Sequence, residues 1–305
     1  MKFTKKQKQL LAEIGLLFCG VTWGASFVVT KGVMEVVAPS WTAAIRSMVP
    51  ALLMAPFLTG RFRKAGFHTI WVAAVSGIIQ FFGLITQMIG LTMTTAGNSA
   101  FITALYVVLV PFCMWVYNKK RPGLPVFIAG VICLTGVGVI ALQTNLTINR
   151  GDLFVVAAAI LFAINIALIS ICITGGTDAM VFCCVQFFFT ALPAFVMGLI
   201  MDPLPQFQVL IRNEMLWGFF YIVAINTIFA QIVHNVALGH ANPSHAALIM
   251  STEALFGALF GAIFLHEKIT LRFFVGALLI SVSIVLSELA KHPRRQQLLV
   301  QDDGG

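Results

Sequence analysis

Long apolar segments dominate this sequence and decide which kind of fold it can adopt. Runs of about 20 apolar residues, the length that a helix needs to cross the hydrocarbon core of a bilayer, recur ten times between short breaks at glycine, proline or charged residues. Only 10% of the 305 residues are charged, whereas soluble proteins carry about 25%. So few charges could not cover a water-soluble surface, and the sequence therefore predicts an all-α integral membrane protein.

The predicted spans end where these apolar runs are interrupted. They cover residues 11–32, 41–59, 69–92, 97–117, 124–142, 152–173, 178–200, 215–237, 244–265 and 270–290. The third and fourth spans are divided only by the short stretch "TMTTAGN" at residues 92–98. Residues 1–10 are predicted to form an N-terminal segment, and residues 291–305 a disordered tail whose arginines contact anionic lipid.

Clusters of basic residues orient the predicted bundle. With ten spans, four clusters fall on one side of the membrane, which the positive-inside rule identifies as the cytoplasm. An odd number of spans would leave at least one cluster outside. Both termini are therefore predicted in the cytoplasm of a multi-pass protein of the cell (inner) membrane, and the net charge of +8 indicates topology rather than nucleic-acid binding. The clusters are Lys2, Lys5, Lys6 and Lys8; Arg61, Arg63 and Lys64; Lys119, Lys120 and Arg121; and Lys291, Arg294 and Arg295.

The rare polar residues recur at matching positions in the two halves of the chain. Five spans per half is an odd number, so two related halves must lie inverted across the membrane. The sequence thus predicts two inverted five-helix repeats, residues 11–142 and 152–290, around a central cavity. The matched positions are Trp23 and Phe162, Ser26 and Asn165, Arg46 and Gln186, Gln80 and Thr227, Gln87 and His234, Tyr106 and Glu253, and Gly130 and Gly276.

Four stretches of the sequence resemble a known family. "WGASFVVTK", "AAIRSMVPALLM", "STEALFGALFGAIFLHEKIT" and "RFFVGALLISVSIVL" are similar to EamA-type transporters of the drug/metabolite transporter superfamily. The resemblance implies ten helices in two inverted halves, alternating access, and export of amino acids or related metabolites. In such proteins a proline often follows the position of Glu253, whereas this chain has Ala254, so a helix break there is expected to be absent or milder.

Glu253 and Arg46 are ionisable residues inside predicted spans, where a charge costs about 2.5–3.5 kcal/mol on insertion scales. Glu253 is interpreted either as a cavity carboxylate that binds substrate or a proton, or as a structural acid that joins helices. Arg46 either holds a substrate carboxylate or phosphate with its paired donors, or reaches the interface or a neighbouring carbonyl.

Polar stripes mark two further spans. Gln80 and Gln87 share one helix face, and Thr227, Gln231 and His234 form a similar stripe with Asn226 and Asn235 at its margins. Such stripes line an aqueous path or form hydrogen bonds between helices. His234 is either a second proton-coupling candidate or a structural histidine. The predicted cavity-lining residues are Trp23, Ser26, Arg46, Gln80, Gln87, Tyr106, Asn165, Gln186, Thr227, Gln231, His234 and Glu253.

The ninth span carries two more features. Gly257 and Gly261 form a GxxxG motif, which favours close helix packing within the subunit or at a homodimer contact. His266, Glu267 and Lys268 follow, without zinc-ligand spacing, and are expected to form an exposed turn or, alternatively, a gate contact.

These patterns favour a secondary transporter of small metabolites over other functions. No motif of a catalytic, metal or cofactor site is present, so no enzyme activity and no cofactor are expected. A nucleobase, vitamin or multidrug carrier of the same fold remains the main alternative. A channel, an intramembrane enzyme and a membrane assembly protein without transport of its own are further alternatives. The expected partners are a small-molecule substrate and membrane lipid.

Overall fold

The computed structural model of the protein describes residues 5–63, 65–119, 121–141, 149–238 and 249–289. These ranges are helical and contain no strand. Helices α1 to α6 are Lys5–Met34, Pro39–Phe62, Phe67–Met93, Ala96–Thr103, Leu105–Asn118 and Leu124–Ala141. Helices α7 to α13 are Arg150–Thr174, Ala179–Met201, Phe207–Leu210, Asn213–Phe220, Ala230–Leu238, Thr252–Phe264 and Leu271–Leu289, with a π-helical segment, Tyr221–Phe229, between α10 and α11.

The helices have the lengths and surfaces of membrane-spanning elements. Seven stretches are long and apolar enough to cross a membrane, α12 and α13 are shorter apolar helices, and the 24 residues of α2 include the charged Arg46 and Arg61. Large apolar side chains point outward, with Val131 67% and Ile200 75% exposed, which suits lipid rather than water. The prediction of a multi-pass, all-α membrane protein is therefore confirmed. The seven stretches are Gln9–Met34, Phe67–Met93, Ala96–Asn118, Leu124–Ala141, Arg150–Ile173, Ala179–Met201 and Asn213–His234.

Some sequence predictions concern residues outside the described ranges. The predicted span 244–265 is described from residue 249 onward, and the tail 291–305 is not described. The same holds for Lys2, Lys64, Lys120 and the basic residues of the tail, so the orientation argument keeps its basis in sequence alone.

Successive long helices run in opposite directions because short connections join them. We call the end of the bundle at which α1 begins and α13 ends the N-terminal face, and the other end the opposite face. The connections around residues 63–66, 119–123 and 175–178 lie at the N-terminal face. Those around residues 35–38, 94–95, 202–212 and 265–270 lie at the opposite face.

Helices of one half of the chain pack against helices of the other half. Helix α3 lies along α7, where a Cβ atom at Gly83 would come within 2.7 Å of the Phe162 ring. Helix α6 lies along α13, where Gly136 and Gly276 approach so closely that a Cβ atom on either would lie 2.8 Å from the other's carbonyl oxygen. Helix α2 lies along α8, and α1 along α12 and the π-helical segment. The core therefore forms between the halves rather than within each of them.

Two helices break near the middle of the bundle. Ala104 separates α4 from α5, and Ser251 forms a turn between the helical residues Ile249 and Met250 and α12. In each case the chain makes a tight turn, with the amide of Val107 donating to Ala104 (3.0 Å) and the amide of Ala254 to Ser251 (3.2 Å). A break at Ser251 thus exists although no proline follows Glu253, so of the two expected alternatives, an absent break or a milder one, the first is wrong.

Candidate functional site

A central cavity of about 290 Å³ lies between the two halves of the chain. Its described lining includes every side chain that the sequence predicted to face a cavity: Trp23, Ser26, Arg46, Gln80, Gln87, Tyr106, Asn165, Gln186, Thr227, Gln231, His234 and Glu253. The walls between them are apolar and include Leu84, Val107, Val110, Phe162, Ile166, Ile169, Phe187 and Met250. A small pocket with apolar walls and a few convergent polar groups is typical of sites for small organic ligands.

Arg46 is the centre of a first polar cluster. Its Nη2 donates to Asn226 Oδ1 at 2.7 Å, and its Nε donates to Thr227 Oγ1 at 3.2 Å. The Asn226 side chain in turn donates to the carbonyl oxygen of Thr22 at 3.2 Å. Both partners of Arg46 belong to the π-helical segment, and such segments occur frequently at functional sites.

A second polar cluster contributes Gln80, Asn165 and Gln186 to the cavity lining. Asn165 Nδ2 donates to Gln80 Oε1 at 2.6 Å, Gln186 Nε2 donates to Ser76 Oγ at 3.0 Å, and the Ser76 hydroxyl donates to Asn165 Oδ1. Asn165, Gln186 and Ser76 are buried, so their amide and hydroxyl groups satisfy one another. This cluster is uncharged, in contrast to the cluster around Arg46.

Glu253 meets Tyr106 in the cavity lining. The Tyr106 hydroxyl donates to Glu253 Oε2 at 3.2 Å, and both side chains are 8% exposed. Each residue lies two positions after a helix break, at Ser251 and Ala104. Nearby, Gln87 Nε2 donates to Thr103 Oγ1 at 3.0 Å. The structure therefore joins, by a direct hydrogen bond, two residues that sequence matching had paired.

The remaining predicted residues make local contacts at the cavity wall. The Trp23 indole donates to the carbonyl oxygen of Asn226 at 3.1 Å, and its ring lies 5.1 Å from that of His234. Ser26 donates to the carbonyl oxygen of Trp23 at 2.7 Å, within its own helix. Trp23 therefore offers an aromatic wall whose polar group is already bonded.

The sequence analysis missed several polar residues at this site. Asn226 had been placed only at the margin of its stripe, whereas it binds Arg46 directly. Ser47, Thr103, Ser170 and Thr190 also line the cavity. Serine and threonine often donate to carbonyls of their own helix, so their sequence positions alone do not distinguish cavity residues from others.

The cavity extends further toward the N-terminal face than toward the opposite face. Its lining reaches Ser170 and His234, in the last turns of α7 and α11, on the first side. On the other side it reaches Gln87 and Thr103. Between these two residues and the opposite face lies a packed apolar layer of Phe27, Leu91, Ala96 and Ala100.

A group of polar contacts, here called the opposite-face lock, covers that apolar layer. Glu267 accepts hydrogen bonds from the backbone amides of Ala96 (2.6 Å) and Gly97 (3.0 Å), at the N-terminus of α4. Lys31 Nζ lies 3.5 Å from Glu267 Oε1 and donates to the carbonyl oxygen of Thr94 at 2.8 Å. The lock thus joins α1, the start of α4 and the turn after α12. Of the two sequence interpretations of Glu267, the structure agrees with a contact between elements, because its side chain is only 13% exposed.

A buried acid that the sequence analysis did not single out adjoins the lock. Asp152 is fully buried in the first turn of α7 and accepts a hydrogen bond from the Thr94 hydroxyl. An acid at this position complements the positive end of the helix dipole, so its place at the start of an apolar span was the available signal.

The GxxxG motif packs within the subunit. A Cβ atom at Gly257 would overlap the Ala100 side chain, and one at Gly261 would lie 2.6 Å from Glu267 Oε2. Both glycines therefore let α12 approach α4 beside the lock. Of the two alternatives, a contact inside the subunit or a contact between copies, the structure contains the first.

Comparison with known proteins identifies the family of the chain. The sequence profile described as the EamA-like transporter family matches residues 10–142 and again residues 149–289. A protein of Archaeoglobus fulgidus named only as an uncharacterized transporter is 29% identical over 286 residues, which cover 92% of this chain and 87% of that protein. The uncharacterized transporter YvbV of Bacillus subtilis is 24% identical over 281 residues, 89% of each chain.

A solved structure has the same fold. This crystal structure, whose title names no function, superposes with a TM-score of 0.62 over 94% of this chain and 98% of that chain, at 12% sequence identity. At this identity the likeness concerns the fold alone. It extends over nearly the whole of both chains.

Proposed function

Because the chain belongs to the EamA-like transporter family, we propose that this membrane transporter moves a small metabolite, an amino acid or a related compound, out of the cell by alternating access. The profile match and the transporter names of the relatives favour transport over enzyme activity. We infer the substrate class and the mechanism. They rest on the cavity and on the relation between the two halves.

One observation carries the proposal. Polar side chains from helices of both halves, each costly in lipid, converge on a single cavity near the middle of the bundle. Polar groups at this depth that avoid lipid and surround a shared space are typical of substrate paths in carriers. A purely structural role would require only that the groups bond to one another.

We interpret the fold as ten membrane helices in two inverted five-helix repeats. The family profile matches the two halves separately. Tyr106 and Glu253 are separated by 147 residues, and the same separation relates the helix breaks at Ala104 and Ser251. It also relates Lys119 and His266, the non-glycine residues with positive φ in the described part of the chain. An inverted repeat accounts for these coincidences and gives two halves that can rock around the cavity.

The conformation supports alternating access. The lining reaches toward the N-terminal face, while the apolar layer and the opposite-face lock cover the other end. A carrier that opens to one side at a time must have such a closed side. With both termini in the cytoplasm, as the basic clusters favour, the cavity approaches the cytoplasm, from which an exporter takes its substrate.

Proton coupling is part of the proposal. Glu253 and His234 are the acid and the histidine in the described lining, and we infer that Glu253 carries the proton, with His234 as the second candidate. The groups around Glu253 are Tyr106, Arg46 and Cys19. A proton on Glu253 would change its interaction with Arg46 and thereby the balance between conformations.

Purified protein in liposomes tests the proposed function. Vesicles loaded with a mixture of unlabelled amino acids are placed in traces of the labelled compounds, and counterflow of label into the vesicles is measured. A carrier exchanges label for unlabelled substrate, whereas a structural membrane protein does not. Absence of counterflow for amino acids, keto acids, nucleobases and vitamins alike would overturn the carrier function.

A further inference from the structure

We propose that Arg46 is the receptor for a carboxylate group of the transported metabolite and that Asn226 is the residue that positions its guanidinium. This inference rests on the proposed transport function and adds to it the chemical group that the substrate must carry. It also assigns a role to the π-helical segment.

Arg46 is a cavity cation that makes no salt bridge in the part of the chain that the structure describes. Its hydrogen bonds go to the neutral groups Asn226 Oδ1 and Thr227 Oγ1. In the described ranges the salt bridges are Lys31 with Glu267 and Arg61 with Asp178, so Arg46 has none. The cavity acid Glu253 is hydrogen-bonded to Tyr106 instead. A charge withdrawn from water is normally paired, and a substrate anion can supply the directly bonded partner that Arg46 does not have among the described residues.

The guanidinium keeps donors for such an anion. Of its five N–H groups, the protein bonds engage one on Nε and one on Nη2. No group in the described part of the chain accepts from Nη1. The edge formed by Nη1 and the second Nη2 hydrogen is the fork that carboxylates accept in bidentate fashion.

Asn226 fixes the direction of this fork. Its Nδ2 donates to the carbonyl oxygen of Thr22, which also accepts from the Tyr221 hydroxyl at 2.7 Å. Because a carbonyl oxygen can only accept, the amide must turn its own oxygen toward Arg46. The Trp23 indole holds the Asn226 backbone carbonyl as well. Asn226 is thus bonded on three sides and is 1% exposed.

The π-helical segment explains why these groups meet. A π-helix accommodates one more residue per turn than an α-helix does, which displaces side chains from their α-helical positions. Thr227 donates to the carbonyl oxygen of Ile222, five residues earlier, at 2.7 Å. Asn226 and Thr227, which are adjacent in sequence, both reach Arg46.

The surroundings favour a carboxylate over a phosphate ester. Arg46 is the one arginine or lysine among the lining residues that the structure describes. A phosphate ester carries a charge of about −1.5 to −2 near pH 7, which a single guanidinium beside Glu253 would not balance. A carboxylate has unit charge and matches the one fork.

Neither structural interpretation of Arg46 fits its contacts. A snorkelling arginine would extend to the membrane interface, but this guanidinium lies in the central cavity. An arginine that ties helices together through backbone carbonyls would donate to them, but the acceptors are side-chain oxygens.

The test measures efflux of a defined mixture from proteoliposomes. The mixture contains the protein amino acids, their primary amides and amines, the matching carboxylic acids without the amino group, sugar phosphates and nucleobases, and mass spectrometry identifies what leaves. The variants are Arg46→Gln, Asn226→Asp and Thr227→Val, with Arg61→Gln as the control for loss of an exposed arginine from the same helix.

We expect the exported compounds to carry a carboxylate and the matching amides and amines to remain. Arg46→Gln should lower the initial rate for these carboxylates by about tenfold or more, because it removes a charge-assisted hydrogen bond. Asn226→Asp should raise the apparent KM by about tenfold with little change in maximal rate, since its carboxylate neutralises the guanidinium and weakens the attraction of the fork for the substrate carboxylate. A structural Arg46 would tolerate or gain from that ion pair.

The other outcomes are equally informative. Export of amides, nucleobases or sugar phosphates at the rate of carboxylates would overturn the inference and leave the transporter function intact. Selectivity for carboxylates that is unchanged from wild type in all three variants would also overturn the inference. If Arg46→Gln does not fold, Asn226→Asp and Thr227→Val, which are nearly isosteric, decide the question. If no compound of the mixture leaves the vesicles, both the proposed function and this inference are wrong.

Discussion

Glu253 shows how a single residue can carry both structural and functional information. A carboxylate at mid-membrane depth is costly, and here it is almost completely buried with Tyr106 as its hydrogen-bond donor. If joining α5 to α12 were its only task, a neutral glutamine could accept the same hydrogen bond. The property that only the acid has is a proton that it can bind and release.

Replacement of Glu253 by glutamine separates these two roles. We expect Glu253→Gln to abolish efflux driven by an imposed pH gradient and to keep counterflow exchange, because glutamine preserves the Tyr106 contact and cannot carry the proton. Both rates are measured on the same batch of proteoliposomes.

Two other variants serve as controls for that experiment. Tyr106→Phe retains the acid and should keep transport driven by the pH gradient. If Glu253→Gln keeps it and His234→Gln loses it, the proton belongs to His234 and the assignment to Glu253 is wrong.

The sequence predicted the ionisable and amide residues of the cavity, with the exception of Asn226, for a physical reason. Arg46, Gln80 and Glu253 lie in apolar helices, and groups of this cost avoid lipid. Hydroxyl residues give no such signal. Thr86 and Thr135 donate to carbonyls of their own helices at 2.6 and 2.9 Å, and their sequence surroundings resemble those of the cavity residues Thr103 and Thr190. Only the packed structure separates the two groups.

At the scale of elements, the functional geometry depends on departures from α-helix. Breaks at Ala104 and Ser251 precede Tyr106 and Glu253, and the π-helical segment presents Asn226 and Thr227. Neither break has glycine or proline at its turn residue, and "YIVAINTIF" contains neither. The spans could be predicted because hydropathy fixes them, but these irregularities could not, since tertiary packing imposes them.

The opposite-face lock leads to a prediction about α4. Glu267→Gln weakens the hydrogen bonds to the amides of Ala96 and Gly97 by removing the charge. Hydrogen bonds to charged groups contribute about 1.5–3 kcal/mol, so hydrogen exchange of the first turn of α4 should accelerate by about tenfold. Exchange measured by mass spectrometry on the purified protein checks this.

Two further variants make the test specific to the lock. Gly261→Ala should reproduce the effect, because its Cβ atom would come within 2.6 Å of Glu267 Oε2 and displace that flexible side chain. Lys268→Gln, next to Glu267 but exposed, should leave exchange in α4 unchanged. If the amides at the start of α4 exchange at the wild-type rate in both Glu267→Gln and Gly261→Ala, the lock does not hold this end of the bundle closed.

At the scale of the whole molecule, the contacts that hold the protein together are also those that the proposed transport cycle would change. Helices of one half pack on helices of the other, at Gly83 with Phe162 and at Gly136 with Gly276. The cavity lies at this same boundary. A movement of one half against the other therefore alters the cavity without unfolding either half.

The direction of transport depends on which face lies in the cytoplasm, and this gives the last prediction. Among the 19 lysines and arginines, those in connections at the opposite face or at helix ends beside it are Lys31, Arg150, Arg212, Lys268 and Arg272, and Arg46 lies in the cavity. All others precede α1, lie in its first turns, follow α13 or fall in sequence at or beside the connections of the N-terminal face, so the positive-inside rule predicts that this face lies in the cytoplasm.

Cysteine labelling in intact cells measures this orientation. A membrane-impermeant maleimide should label Gln206→Cys, exposed at the opposite face, in intact cells, and His68→Cys, exposed at the N-terminal face, only after permeabilisation. The parent protein is the control for its own six cysteines. The reverse pattern would contradict the topology, and it would also reverse the argument for export, because the cavity side that reaches Ser170 and His234 would then approach the exterior.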